Sequence, residues 1–216
     1  MRRSMLAVLA VAACLTGLPG VAAAPGSGTL VATEGVVQAR TAGGSQWAPG
    51  RVRRLYAPGD ALRTGRNARA EIAFLDGTIT RLAAHSQLRL AGKPQSFGRL
   101  LLGKLWFKVT KQHAPIHIET PGAVASVMGT ELLVSVDNQE GTHVTCLEGH
   151  VNVKGDVGDV VKLTAGQWTD VRKGAAPDAP TPFNWGKLKA SEILLQPLNQ
   201  DASAGMADGD PDDIWK

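Results

Sequence analysis

At 216 residues, 44% of them hydrophobic, the chain is long enough for one ordinary domain with its own core plus a tail, and its two cysteines are too few for a disulfide-stapled miniprotein. Lys and Arg outnumber Asp and Glu by 23 to 19, but the small excess conceals a division. Residues 40–111 hold 14 basic and 3 acidic side chains, a balance of +11, while 112–174 hold 4 and 8 and 175–216 hold 3 and 7, each −4.

Arg2 and Arg3 precede an apolar stretch at 5–18 that is too short for a membrane span. Val21-Ala22-Ala23 places small residues for a cut before Ala24, so residues 1–23 are predicted to be a secretory signal peptide. Val11-Ala12-Ala13-Cys14 also fits a lipobox, the alternative being a lipoprotein anchored through Cys14. The expected product is exported, periplasmic or extracellular, with no transmembrane helix in the mature chain. Cys146 is then the sole cysteine, and its strand-like surroundings predict a small buried apolar side chain.

Residues 28–40 predict a strand, a kink at Glu34-Gly35 and a second strand. A Gly- and Pro-rich loop covers 41–50, a short strand 51–56, and Pro58-Gly59-Asp60 a turn. Residues 68–74 alternate apolar and polar before Asp76-Gly77, a strong hairpin signal, and 78–82 and 86–90 continue as strands. Residues 99–105 admit a helix, whereas 106–109 read as extended. Residues 116–119 form a strand that stops at Thr120-Pro121. From 120 to 171, short β-rich runs are broken by single glycines. Glu34-Gly35-Val36-Val37 is echoed by Glu148-Gly149-His150-Val151.

Three prolines at 175–182 predict a linker, and 185–195 one short helix capped by Ser191 or Asn184. Leu188, Ile193 and Leu195 are placed to cover an apolar patch on the main domain. Residues 199–213 are acidic and poor in hydrophobics, the composition of a disordered tail, and Ile214-Trp215 offers a docking tip. The fold expected is all-β: an irregular β-solenoid-like or twisted sandwich of many short, mainly antiparallel strands, with a short C-terminal helix and tail. Its expected divisions are a signal at 1–23, a β domain at 28–173, and a linker, helix and acidic tail at 174–216.

No catalytic constellation emerges. The histidines are His85, His113, His117, His143 and His150. His113-x-x-x-His117-x-Glu119 resembles a metal cluster, but Pro115 breaks any helix that would align the two histidines, and a strand aligns only His117 with Glu119. There is no G-x-S-x-G, no phosphate-binding glycine loop and no C-x-x-C, so no enzyme, metal or cofactor is expected. Nucleic acid is not an expected partner, because the basic segment is not interleaved with stacking aromatics. Arg63, Arg69, Arg81 and Arg89 alternate with apolar neighbours, as outward residues of a sheet do. The functional alternative is a surface of Arg51, Arg53, Arg54, Arg63, Arg66 and Arg69 that binds acidic polysaccharide, lipid headgroups or a partner's acidic face.

In order and spacing, several pieces resemble the FecR family, the ferric-citrate regulator type of extracytoplasmic domain. They are E-G-V-V from Glu34, P-G-D-A-L-R-T-G from Pro58, A-E-I-A-F-L-D-G-T from Ala70, S-Q-L-R-L from Ser86, G-K-L-W-F-K-V from Gly103, T-P-G-A-V-A-S-V-M-G-T from Thr120 and T-A-G-Q from Thr164. The resemblance spans about 28–173. It implies a mostly antiparallel, solenoid-like domain outside the cytoplasm. In the full regulators a cytoplasmic segment controls a sigma factor and a C-terminal portion receives a transporter's signal. Reading residues 1–23 as a signal leaves no cytoplasmic segment here, so direct sigma-factor control is not expected. The expectation is a non-enzymatic module binding a protein partner in the cell envelope, possible strand addition at its sheet edges included.

Overall fold

The computed structural model describes residues 26–92, 95–110 and 114–198. The signal-peptide and Cys14 readings, His113 and the acidic tail lie outside them. Within them the alternating runs become strands β1 (Gly28–Glu34), β2 (Val37–Arg40), β3 (Ala48–Pro49), β4 (Leu55–Tyr56), β5 (Ala61–Thr64), β6 (Arg69–Phe74), β7 (Ile79–Leu82) and β8 (Gln87–Leu90). Then follow β9 (Ser96–Lys108), β10 (Ile116–Glu119), β11 (Ala123–Val127), β12 (Glu131–Val136), β13 (Thr142–Glu148), β14 (His150–Gly155), β15 (Val161–Thr164), β16 (Gln167–Val171) and β17 (Thr181–Pro182). They join in one open sheet that is folded into two layers.

The first layer runs β4, β1, β6, β7, β9, β12, β13, β16, β17, every pair antiparallel. The second runs β3, β2, β5, β8, β9, β10, β11, β14, β15, antiparallel except for the parallel pair β9–β10. Strand β9 belongs to both. Its residues up to Leu102 pair in the second layer, and from Gly103 onward they pair in the first. Most other strands come in couples that do the same thing with a corner between them: β1 leads to β2, β5 to β6, β7 to β8, β11 to β12, β13 to β14 and β15 to β16. The result is an antiparallel meander of bent rungs, which is the solenoid-like sandwich read from the sequence.

The bends explain the glycines. Gly103 has φ of +86°, and a Cβ there would lie 2.4 Å from Ser86 Oγ and 2.5 Å from Ser86 Cα. No side chain fits, so the 13-residue strand turns its corner at that position. Residues 99–105 are therefore strand throughout and not helix, because their hydrogen bonds go to β8, β7 and β12. The two E-G-x-V echoes also acquire a meaning. Gly35 and Gly149, at φ of +64° and +80°, each take the chain from the first layer to the second.

Between the layers lies the main core, with Leu30, Ile72, Leu82, Leu105, Phe107 and Val144 from the first layer meeting Leu62, Leu88, Leu100, Ile118, Val151 and Leu163 from the second. Period-2 alternation sends every other residue inward, and this is what makes the runs strands. A second, smaller cluster sits on the outside of the first layer, where Trp106, Leu133 and Leu147 are covered by Leu194. Helix α1 (Trp185–Ser191), N-capped by Asn184 Oδ1 accepting from the Lys187 N–H, and a 3-10 turn (Ile193–Leu195) carry that cover. Leu188 and Leu195 pack against it as expected, but Ile193 faces solvent and the fully buried residue is Leu194. Among the described residues no helix is long and apolar enough to cross a membrane.

Candidate functional site

The motif residues most suggestive of chemistry are spent on corners. Asp60 accepts backbone N–H bonds from Ala42 (2.8 Å) and Ala57 (3.0 Å). The Thr64 hydroxyl accepts from Ser86 N (2.9 Å) and donates to the Ala83 carbonyl. Thr120 Oγ1 accepts from Ala123 N (2.9 Å), and Gln167 Oε1 accepts from both Thr164 N and Thr164 Oγ1 at 2.9 Å. Each replaces a backbone partner lost where a strand ends.

The outer face of the first layer is covered around Arg81, Trp106 and Leu133, and open at its far end, where His143 and Asp170 are partly exposed. Directly opposed residues share a face, so pairing aligns Glu71, Arg81, Trp106, Leu133, Thr145 and Trp168 in one row over six strands. Arg81 donates to Glu71 Oε2 at 2.6 Å and to the Leu194 carbonyl at 3.0 Å, and its guanidinium lies 4.1 Å from the Trp106 ring. Trp106 Nε1 donates to Glu131 Oε1 at 2.9 Å, and Lys104 pairs with Glu192 at 2.7 Å. Arg69 forks onto Glu34 at 2.7 and 2.8 Å and reaches the Ile193 carbonyl at 3.1 Å. The hydrogen bonds from Arg69 hold the Glu34 carboxyl below its ordinary value, against a smaller opposing effect of burial.

A relay that the sequence did not reveal occurs further along this face. Thr145 Oγ1 lies 3.1 Å from His143 Nε2, and His143 Nδ1 lies 2.6 Å from Asp170 Oδ1. The order imitates a hydrolase triad, but Thr145 is 4% exposed and β13 holds it in mid-sheet between β12 and β16. A nucleophile needs an open side for substrate. The pairing of His143 with Asp170 across β13 and β16 would have been the signal, and it is visible only once the register is known. Cys146 is fully buried in the main core, and burial pushes its thiol up to about 11, away from the reactive thiolate.

On the outer face of the second layer, β10, β11, β14 and β15 form an open groove of about 920 Å³. Its floor is a row of His117, Ser126, Asn152 and Lys162 beside one of Glu119, Val124 and Lys154. Met128, Val160 and Pro115 add apolar walls. His117 Nδ1 is 2.8 Å from Ser126 Oγ, and Glu119 Oε1 accepts from Ser96 Oγ at 3.3 Å. His117 and Glu119 do share this face. Among the described residues no group of three or more His, Cys, Asp or Glu is arranged to hold a metal. Beside the groove, β15 ends the layer with four residues, whereas the other terminal strands β3, β4 and β17 have two each.

The six arginines singled out in the sequence do not share one surface. Arg69 is on the outside of the first layer, engaged by Glu34, while Arg63 is on the outside of the second, where its Nε and Nη2 donate to Gln38 Oε1 at 2.9 and 2.6 Å. Arg51, Arg53 and Arg54 lie in the segment between β3 and β4, with Arg54 5.3 Å from the Tyr56 ring. Arg66 is exposed at the corner between β5 and β6.

This architecture is that of an all-β module whose polar motif residues build turns. The FecR protein family model matches residues 60–152, a stretch from the Asp60 turn to β14. Over those residues the chain is similar to the FecR family. Two crystal structures of a candidate anti-sigma factor from Parabacteroides distasonis ATCC 8503, at 1.65 and 2.50 Å resolution, share the fold with a TM-score of 0.52 and 18% identity. The match covers 60% of this chain and 63% or 62% of those, so it spans just under two thirds of the solved proteins' length. No curated protein matches the chain.

Proposed function

We propose that this chain is a non-enzymatic, extracytoplasmic signalling module that binds an extended segment of a protein partner in the cell envelope, along β15 and the groove beside it. The observation that carries the reading is the conjunction of a FecR match with a groove bordered by the longest terminal strand of the fold. An edge strand offers unpaired N–H and C=O groups, and side chains along the groove select the sequence that docks. Val160 and Met128 supply apolar contacts at 54% and 52% exposure. Lys154 and Lys162 have no carboxylate partner among the described residues. The segment that fits alternates apolar and acidic side chains.

The buried Thr145 hydroxyl and inert Cys146 favour a binding role over a hydrolytic one. Similarity to a family of regulators supports signalling, and the neighbours' description as an anti-sigma factor points the same way. Export rests on residues 1–23 acting as a signal. The test is site-specific photo-crosslinking of the full chain in its own cells, with the probe placed at Val160, Lys162 or, as a control, Lys189 on the opposite side. The expectation is one protein adduct at 160 and 162, found in the envelope fraction, and none at 189. Adducts only at 189, or none at 160 and 162, would sink the reading.

A further inference from the structure

The second layer carries another feature, on the strands next to the groove. Strand pairing aligns Arg40 on β2 with Ala61 on β5, Ala61 with Arg89 on β8, and Arg89 with Arg99 on β9. Opposed residues share a face, so three arginines lie in one line across four strands, with alanine as the gap. Leu62, Leu88, Leu90 and Leu100, the sequence neighbours of this line, are buried inward, which fixes the arginines outward. At a strand spacing of about 4.8 Å the line is roughly 14 Å long. Arg63, two residues along β5 from Ala61, extends it sideways. Trp47 braces it, with the Arg63 and Arg40 guanidinia 4.4 and 4.8 Å from its ring.

Among the described residues no salt bridge joins Arg40, Arg89 or Arg99 to an acid. Asp60, beside Ala61 in the chain, is buried and holds two backbone N–H groups. Glu119 is opposite Arg99, but the contact it makes is with Ser96, and no ion pair joins it to Arg99. Arg89 and Arg99 are exposed and without a carboxylate partner among the described residues. Like charges set side by side repel, so the row costs stability unless something anionic lies over it.

We infer that the outer face of β2, β5, β8 and β9 is a docking surface for an acidic polysaccharide, bound along the Arg40–Arg89–Arg99 line. Planar guanidinia take carboxylates or sulfates in a two-bond fork, and the step between adjacent strands is close to the repeat of a sugar ring in an extended chain. A membrane fits less well, because no large exposed hydrophobic side chain stands in the row to enter a bilayer. A nucleic acid fits less well too, because the ring of Trp47 is occupied by guanidinia and leaves no platform for stacked bases. This site does not depend on the protein-binding reading of the groove.

The probe is polygalacturonate, measured by affinity electrophoresis of the full chain, with neutral dextran as the blank. Retention on polygalacturonate that falls steeply with salt is expected. The pair R89Q/R99Q should weaken it roughly tenfold, whereas R53Q/R54Q, with the same change in net charge, should leave it nearly unchanged. R89K/R99K should recover only part, since a lysine keeps the charge and loses the fork. Thermal unfolding of the variants checks that each is folded. Equal losses in the two glutamine pairs, full recovery with lysine, or tighter binding to single-stranded DNA or phosphatidylglycerol vesicles than to polygalacturonate would each overturn the assignment.

Discussion

The two outer faces of this molecule are built by the same alternation and end in opposite states. On the first layer, the row from Glu71 to Trp168 contains a cation, but Arg81 meets a carboxylate, an aromatic ring and a backbone carbonyl, and the C-terminal turn seals the apolar residues beside it. On the second layer, the row from Arg40 to Lys154 contains four cations and one acid; Trp47 lies against Arg40 at one end and Ala61 is buried, while Arg89, Arg99 and Lys154 stay exposed. Sheets with one face on a core have a second face to manage. One here is managed internally. The other is left exposed, and the proposed binding surfaces both lie on it.

That contrast can be broken most forcefully at Trp106. Its replacement by alanine removes a buried indole from beneath Leu194 and should cost about 3–5 kcal/mol, read as a lower denaturation midpoint with an unchanged slope. An exposed residue of the second layer, such as Arg99→Gln, should change the same midpoint by no more than about 0.5 kcal/mol. Comparable losses in the two would mean that the faces are not different in kind. Arg81→Met comes next. It strands Glu71 and the Leu194 carbonyl in a largely buried setting and should cost about 2–3 kcal/mol, with faster proteolysis after Lys187 or Lys189 as the turn loosens. Unchanged cleavage there would show that Arg81 does not hold the C-terminal segment.

The smallest effect is the pH dependence of Glu34. Its carboxyl is lowered in the fold by Arg69, so the pair's stabilisation is present above the unfolded carboxylate value of 4.5 and is lost as pH falls through the folded one. Glu34 is 35% exposed, so solvent screens the pair and Glu34→Gln should cost under about 1 kcal/mol at pH 7. The gap between the wild type and this variant should close on acidification. A gap that stays constant from pH 7 to pH 3 would remove Arg69 as its cause.

The elements legible in the sequence were those whose signal is local. Asp76-Gly77 gave a hairpin, Ala70, Ile72 and Phe74 gave the period of β6, and Glu34-Gly35 gave a corner. The region at 99–105 misled because Leu100, Leu101, Leu102 and Leu105 suit a helix intrinsically. Pairing with four neighbouring strands overrode that propensity, as tertiary contacts do. The arginines were legible as a charge excess but not as a place. Arg51, Arg53 and Arg54 are near one another in sequence and sit between strands, whereas Arg40, Arg89 and Arg99 are distant in sequence and become neighbours through register. Register was also what concealed the contact of His143 with Asp170. The groove, assembled from β10, β11, β14 and β15, had no sequence-local trace except His117 and Glu119 at a spacing of two.

Strand β9 has a mechanical consequence. Among the described strands it is the one paired in both layers, bound to β8 and β10 before Gly103 and to β7 and β12 from there on. A pull on the groove enters through β10 and passes along β9 into the strands beneath the C-terminal turn. Among the described strands, β9 therefore ties the sheet beside the groove to the sheet beneath the C-terminal turn by continuous backbone, so the two layers share one covalent rung rather than meeting only through side chains.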